Sequence, residues 1–397
     1  MTSLDLIEHG EARTVDLSSD QFEALRALKC AELTRVSGSV GRYRIKPMRK
    51  VGSVRLGSLQ INIRPKVAEL QRILFFIGYN SNPAIWRDEF VRLGQADGLY
   101  PAVAESFVRL VNKALERGVM RGYIPASESI SVIRGRIRFQ EQITRNYGRP
   151  VPIAVEYDDY SMDVAENRTL LLATLRLLGL PDIGIEARRQ LTRIRAILDS
   201  ITVVSKRNAR PKITFTKLNM RYHDALRLSA VILDNSSFDQ KAGPLAVSGF
   251  LFDMWKVYED FVTGAMSMAM MRHGGKPKVQ VDHYMDAAST IRFIPDLVWY
   301  DDSGRPIAVV DAKYKVEKLK GYPESDLYQM LAYCSALGIK EGHLVYAKGN
   351  GPVSVHVIRS CGIVIHCHSL DLALAPNQLL AEIDSLAAAI LRKPSPF

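Results

Sequence analysis

Apolar and polar positions along this chain change period several times, and each change marks an element. SSDQFEALRALKCAEL repeats its apolar side chains at helical spacing, with Ser18, Ser19 and Asp20 offering an N-cap. VSGSVGRYRIKPMRKVGSVRLGSLQINIRPKV then alternates and turns, with glycines at 38, 41, 52 and 57, and predicts short strands of a small antiparallel sheet or barrel. From Val67 to about Gly122 the period is helical again, in LQRILFFIGY and PAVAESFVRLVNKALERGV. A short β-like piece, SISVIRGRIRF, precedes a strong helix, SMDVAENRTLLLATLRLLGL, that Gly179 ends.

A break at Gly243 and Pro244 opens the last segment. Its pattern predicts a long helix over about 248–272, a strand over 277–284, and then RFIPDLVWYDDSGRPIAVVDAKYKV, two apolar β-branched runs around Asp302, Ser303, Gly304 and Arg305. Those runs read as a hairpin. A helix over 324–336 and strands at GHLVYAK and VSVHVIRS complete an α-β-β-β-α-β order, that of an α/β sandwich with a mixed central sheet. The expected fold class is α/β and α+β multidomain. Residues 1–122 form a β-rich part plus helices, 123–245 a mostly helical basic middle, and 246–397 the α/β domain.

With 47% hydrophobic and 24% charged residues in 397, the composition is that of an ordinary soluble protein. The longest apolar stretches, such as LFFIG, are far too short to span a membrane, and the N-terminus carries acids where a leader carries bases, so a cytoplasmic protein is expected. Charge is unevenly placed: 15 Lys+Arg stand against 16 Asp+Glu from residue 246 on, but 38 against 26 before it. Between Arg188 and Arg221 ten bases face one acid, Asp199. A solvated helical face would explain this run, and so would a phosphate-tracking surface built on Arg188, Arg189, Arg193, Arg195, Lys206, Arg207, Arg210 and Lys212. Cys30, Cys334, Cys361 and Cys367 lack CxxC spacing and read as structural thiols. His366, Cys367 and His368 cannot chelate one ion together, because neighbours on a strand point to opposite faces.

The candidate chemistry lies on the hairpin. If Ser303 and Gly304 are its loop residues, Asp296 sits opposite Asp311, and Asp311 and Lys313 share a face. Two carboxylates are hard oxygen ligands for Mg²⁺ or Mn²⁺, and the Ala312 carbonyl offers a third oxygen. Lys313 stands where it can orient or deprotonate a water and offset charge in the transition state. Upstream, Leu251, Trp255, Tyr258 and Val262 read as a buried helical stripe with Glu259 at its margin. Downstream, Gln329 and Tyr333 are four apart and share a helix face. This is the equipment of a metal-dependent phosphodiesterase.

These residues make the chain resemble the PD-(D/E)XK nuclease superfamily, with Gln329 and Tyr333 similar to its RecB-like branch. More narrowly, it resembles the McrC family, the nuclease subunits of McrBC-type modification-dependent (type IV) restriction systems. LQINIRPKV, GRIRF, EYDDYSMDVAENRTLL, NMRYHDALRLSAVIL, FLFDMWKVYEDFV, PDLVWY and DAKYK carry that likeness, over roughly residues 55–335. The resemblance implies that Asp296, Asp311 and Lys313 are the active-site acids and lysine, and that Glu259 is the acid of the first core helix. It also implies a separate McrB-like AAA+ partner that hydrolyses GTP, recognises modified DNA and translocates it, while the McrC-like chain docks through its N-terminal region, stimulates the GTPase and cuts. Residues 1–50 and the tail after about 370 match nothing in the family.

The chain has no P-loop of its own. Gly274-Gly275-Lys276-Pro277 lacks the upstream glycine and puts proline where Ser or Thr ligates Mg²⁺, so GTP is expected only through the partner. No helix-turn-helix or zinc-finger pattern is present. Two other readings stand beside the assembled endonuclease: a self-sufficient nuclease whose basic part grips DNA, and a non-cleaving activator of an NTPase.

Overall fold

A computed structural model describes residues 2–66, 75–76, 79, 99–147, 149–180, 183–203, 211, 213–235, 247–274, 276–314, 324–347, 354–359 and 361–391. The chain is a mixed α/β protein of two compact units, Met1–Ala102 with Ser237–Phe397, and Val103–Ser236. The first unit is thus discontinuous, and the division does not follow the three consecutive segments read from the pattern.

Its N-terminal part begins with β1 (Thr2–Ile7), β2 (Arg13–Asp16) and α1 (Ser19–Leu28). Ser18 caps α1 in a reciprocal box with Gln21, and Lys29 ends it in the left-handed conformation. β3 (Ala31–Arg35), β4 (Arg42–Pro47), β5 (Lys50–Leu56) and β6 (Leu59–Arg64) follow. β2, β4 and β3 form a small antiparallel sheet, while β1 pairs with β6 in parallel. The predicted helix LQRILFFIGY lies mostly outside the described residues.

The second unit contains most of α2 (Leu99–Leu115), then β7 (Gly122–Ile130), β8 (Arg136–Ile137), α3 (Phe139–Thr144) and β9 (Ile153–Ser161), the strands pairing in the order β7-β9-β8. Helices α4 (Ala165–Leu178), α5 (Ile185–Ile197) and α6 (His223–Asn235) complete it. The stretch EYDDYSMDVAENRTLL braces this unit. Arg168 donates two hydrogen bonds to Asp163, at 2.8 and 2.7 Å, and Thr202 donates to it from backbone and hydroxyl. Above all through Arg168, these bonds hold the Asp163 carboxyl down at about 2. The buried Asn167 amide ties Met120 and Met162 carbonyls together.

The chain returns to the first unit with β10 (Val247–Asp253), and the predicted helix over 248–272 divides here. β10 pairs antiparallel with β5, so residues 247–253 are strand, and only α7 (Met254–Met271) is helix. Phe250, Leu251 and Phe252 are all buried, as a strand covered on both sides requires, and this continuous burial hid the strand inside a helical period. The pairing is close. Gly52 has φ +135°, and a Cβ there would collide with the Phe250 carbonyl oxygen. Gly52→Ala is therefore expected to lower stability by about 1–3 kcal/mol, read from urea unfolding.

β11 (Lys276–Val279), β12 (His283–Tyr284), β13 (Arg292–Phe293), β14 (Leu297–Tyr300) and β15 (Pro306–Lys313) follow, then α8 (Glu324–Leu337), β16 (Glu341–Ala347), β17 (Ser354–Val357), β18 (Val364–Leu370) and α9 (Pro376–Leu391). The single predicted strand over 277–284 is two short strands in different sheets. The central sheet runs β11-β14-β15-β16-β18-β17 and is mixed, because β15, β16 and β18 are parallel while the flanking pairs are antiparallel. Met330, Tyr333 and Cys334 of α8 pack on Val298, Val309, Leu344, Tyr346, Ile365 and Cys367. Helix α7 lies against β11, β14 and β15, and α9 lies against α7 and β18. Among the described residues no helix is long and apolar enough to cross a membrane.

Candidate active site

The hairpin of β14 and β15 sets the first two acids. Leu297 pairs with Val310 and Val298 with Val309, a register that places Asp296 opposite Asp311. The turn that yields it is longer than a Ser303-Gly304 loop. Asp301 accepts hydrogen bonds from the Ser303 and Arg305 backbone, Gly304 takes φ +81°, and a bulge between Trp299 and Tyr300 restores the register. Asp296 also accepts a 2.7 Å hydrogen bond from the Ala312 N–H. So Ala312 meets the site through its amide, and its neighbours carry the charge.

Asp311 is 2% exposed, at the end of a strand buried along nearly its whole length. Lys313, on the same strand face, forms an ion pair with Asp311 and donates to Gln329 Oε1 at 2.9 Å. Gln329 in turn donates to the Tyr333 hydroxyl at 2.7 Å, and that hydroxyl donates to the Ile294 carbonyl. Gln329 and Tyr333 thus form a hydrogen-bonded chain that ends on the lysine. Glu259 reaches the cluster from α7: it shares a hydrogen bond with Asp296 and accepts another from Gln280 at 2.7 Å.

One cavity of about 340 Å³ collects Trp255, Glu259, Asp296, Asp311, Lys313, Gln329 and Tyr333, along with Ile294, Ala312 and Tyr314. Trp255 does not belong to a buried stripe; it is 41% exposed and forms part of this wall. A larger hollow, about 920 Å³ in the second unit, is lined by Arg136, Arg138, Arg145, Phe139, Glu141 and Glu156, and there Glu141 pairs with Arg138 and Arg145. Convergent acids distinguish the smaller cavity.

Electrostatics there are strained. Burial, then the negative charges of Asp311 and Glu259, push the Asp296 carboxyl up to about 8. Burial likewise raises Glu259. For Lys313, burial opposes the charge, but the Asp311 and Asp296 carboxylates outweigh it and hold the ammonium above its ordinary value. Three acids crowd one space with one lysine to offset them, which is the charge pattern that a divalent cation relieves. Among the described residues no three carboxylate, imidazole or thiolate side chains already stand at metal-holding spacing. Asp296 and Asp311 offer hard carboxylate oxygens of the kind that could hold Mg²⁺ or Mn²⁺.

The predicted basic surface is only partly placed. Arg188 donates to the Leu178 and Leu180 carbonyls, closing the end of α4, and Arg189 pairs with Glu186. Arg193 and Arg195 are exposed on α5. Lys206, Arg207, Arg210 and Lys212 lie outside the described residues. His366 and His368 share a face of β18 with each other, not with the buried Cys367, and stack with His343 of β16 at ring-centroid distances of 4.9 and 5.4 Å. His343 Nδ1 and His368 Nε2 lie 3.1 Å apart, within hydrogen-bonding distance. Burial and neighbouring imidazoles depress His343 and hold His368 at about 4, so these two rings are neutral.

The fold is a mixed α/β architecture that gathers three acids and a lysine at one end of its central sheet, and sequence comparison gives the family. The model of the McrBC 5-methylcytosine restriction system component family matches residues 45–347, and the chain belongs to that family. Among solved structures, a chain of the Thermococcus gammatolerans assembly of McrB AAA+ hexamers with bound McrC is similar to it at 18% identity, with a TM-score of 0.60 over 97% of this chain and all of that one. The cryo-EM structure of the Thermococcus gammatolerans McrBC complex aligns at 19% identity and TM-score 0.43, over 68% of this chain and 88% of that one. No curated protein matches in sequence.

Sequence reasoning missed Trp255, Tyr314 and Gln280. None carries a local signal: Gln280 lies between strands, and the other two were absorbed into apolar patterns.

Proposed function

We propose that the chain is the Mg²⁺-dependent DNA endonuclease subunit of a McrBC-type restriction complex, with its β14–β15 sheet and flanking helices as a PD-(D/E)XK nuclease domain. One observation carries the reading: Asp296, Asp311, Glu259 and Lys313 line a single cavity, with Lys313 held on Asp311 and on Gln329. Asp296, Asp311 and the Ala312 carbonyl would hold the metal, which when bound neutralises the phosphate and lowers the pKa of water. Lys313, fixed by Gln329 and Tyr333, orients the attacking water and offsets charge on the phosphate oxygens. Glu259 tunes Asp296 through their shared hydrogen bond.

Family membership supports a McrB-like AAA+ GTPase as the partner, modified DNA as the substrate, and stimulation of GTP turnover on docking through the N-terminal region. The test is reconstitution. Chain, partner, GTP, Mg²⁺ and 5-methylcytosine-bearing plasmid together are expected to give double-strand ends, and omission of any one to give none. Cutting by the chain alone with Mg²⁺ would favour a self-sufficient nuclease; stimulated GTP turnover with no ends under any metal would favour an activator.

DNA binding by α5 is part of the reading. Reversing Arg193 and Arg195 to Glu is expected to weaken the complex's hold on DNA and to lower its salt slope by about 1 for each phosphate that goes unneutralised. A fluorescence titration at several salt concentrations checks this, and an unchanged slope would make α5 a merely solvated face.

A further inference from the structure

Beyond the acids and the lysine, one buried acid from the far end of the sequence touches the cavity wall. Glu8 follows β1 and is 1% exposed. Its N–H donates to the Arg64 carbonyl at 2.8 Å, continuing the parallel β1–β6 ladder, so its backbone is fixed. Its Oε2 accepts hydrogen bonds from the Tyr314 hydroxyl at 3.0 Å and from the Lys66 N–H at 3.4 Å. Tyr314 is the residue after Lys313 and lines the cavity. Its ring lies 5.8 Å from that of Tyr258, the residue before Glu259, and Tyr258 is fully buried and donates to the Val345 carbonyl.

We propose that Glu8 is a positioning residue for the active site, holding the strand end that carries Asp311 and Lys313 against the helix that carries Glu259. The inference rests on the nuclease reading above. Lys313 is the last residue of β15, where ladder hydrogen bonds stop and a strand frays unless side chains pin it. Tyr314 supplies the pin, and Glu8 anchors its far end to the N-terminal sheet. The same tyrosine packs on Tyr258, so one side chain connects the neighbours of both Lys313 and Glu259.

Simple packing would not call for an acid here. Burial raises the Glu8 carboxyl to about 7, against the lowering effect of Tyr314 and Lys66, and its Oε1 has no hydrogen-bond partner among the described residues. An apolar side chain would fill the place at less cost in desolvation. What an apolar side chain lacks is an acceptor aimed at Tyr314.

The test uses the full chain in the reconstituted complex with GTP, Mg²⁺ and modified plasmid. Tyr314→Phe and Glu8→Ala are expected to lower kcat for cleavage about tenfold, as a small displacement of reacting groups does, with the KM for DNA and GTP turnover unchanged. Glu8→Gln keeps an acceptor oxygen and is expected to recover most of the loss. Amide exchange at residues 311–314 in the chain without DNA should quicken in the Ala and Phe variants and not in Gln. Cleavage at the parent rate by a folded Tyr314→Phe variant, or a loss in Glu8→Gln equal to that in Glu8→Ala, overturns the proposal. If the parent complex cuts nothing, the nuclease reading fails; unchanged exchange at 311–314 in Tyr314→Phe overturns the tether by itself, even where Glu8→Ala does not fold.

Discussion

Asp311→Ala is expected to reduce DNA cleavage by the reconstituted complex by about 10³-fold or more, while leaving the chain folded and able to stimulate its partner. Asp311 stands at the end of a buried strand, bound to Lys313, and faces Asp296 across the hairpin. Removing it takes away the group that holds the lysine ammonium and, on the proposed function, a metal ligand. Asp296→Ala and Lys313→Ala should fall in the same range, since each leaves the remaining pair without a required charge. A double variant of Asp311 and Lys313 should then lose little beyond either single one, because the two act as a unit. Stability should separate the variants: deleting Asp296 relieves repulsion among the acids, so melting in metal-free buffer should hold or improve, whereas deleting Asp311 takes the partner from a buried ammonium and should lower it. Plasmid cleavage, GTP turnover and thermal unfolding of the same preparations check this together, and full cleavage by Asp311→Ala would sink the assignment.

The apparent affinity of the chain for Mg²⁺ is expected to rise about fiftyfold between pH 6 and pH 8, about ninefold over the first pH step and about fivefold over the second, because a proton must leave Asp296, held at about 8, before the metal binds. Burial and two neighbouring carboxyls raise that group from 3.8 to about 8. Across this window the metal-free folded chain holds a proton that the unfolded chain has released. The unfolded state therefore binds fewer protons, and the stability Asp296 contributes is complete below about pH 4 and lost as pH rises through about 8. Asp296→Asn keeps an acceptor for the Ala312 N–H but cannot ionise. In EDTA it should flatten the decline in stability, and in Mg²⁺ it should lose the pH dependence of binding along with most of the binding. Calorimetric titration of Mg²⁺ at pH 6, 7 and 8, with urea unfolding in EDTA, reads both effects. Equal pH dependence in the Asn variant would refute the account.

Much of this site was legible because it is local. A side-chain period of two puts Asp311 and Lys313 on one face, and α-helical spacing puts Gln329 beside Tyr333, whatever surrounds them. The register across the hairpin was also correctly expected, although the turn differs: the Asp301-centred loop adds a step and the bulge at Trp299 removes it. Ser18 and Gln21 likewise carried the start of α1 in a few adjacent residues.

Where the reading failed, neighbours distant in sequence decided. Residues 247–253 carry apolar side chains that satisfy a helix or a buried strand equally well, and only β5, nearly two hundred residues earlier, selects the strand. Arg188 belongs by pattern to a basic run but commits its guanidinium to two carbonyls at the end of α4. Glu8 has no motif at all, yet the fold buries it against Tyr314.

The sequence by itself determined the chemistry of the site: which residues carry charge, on which strand face, and beside which helix. The tertiary structure alone decided how hard those charges press on one another and what holds them in place. Residue spacing fixes direction along one element, whereas burial, and with it the shifted protons of Asp296 and Glu8, exists only once separate elements have closed out the water between them.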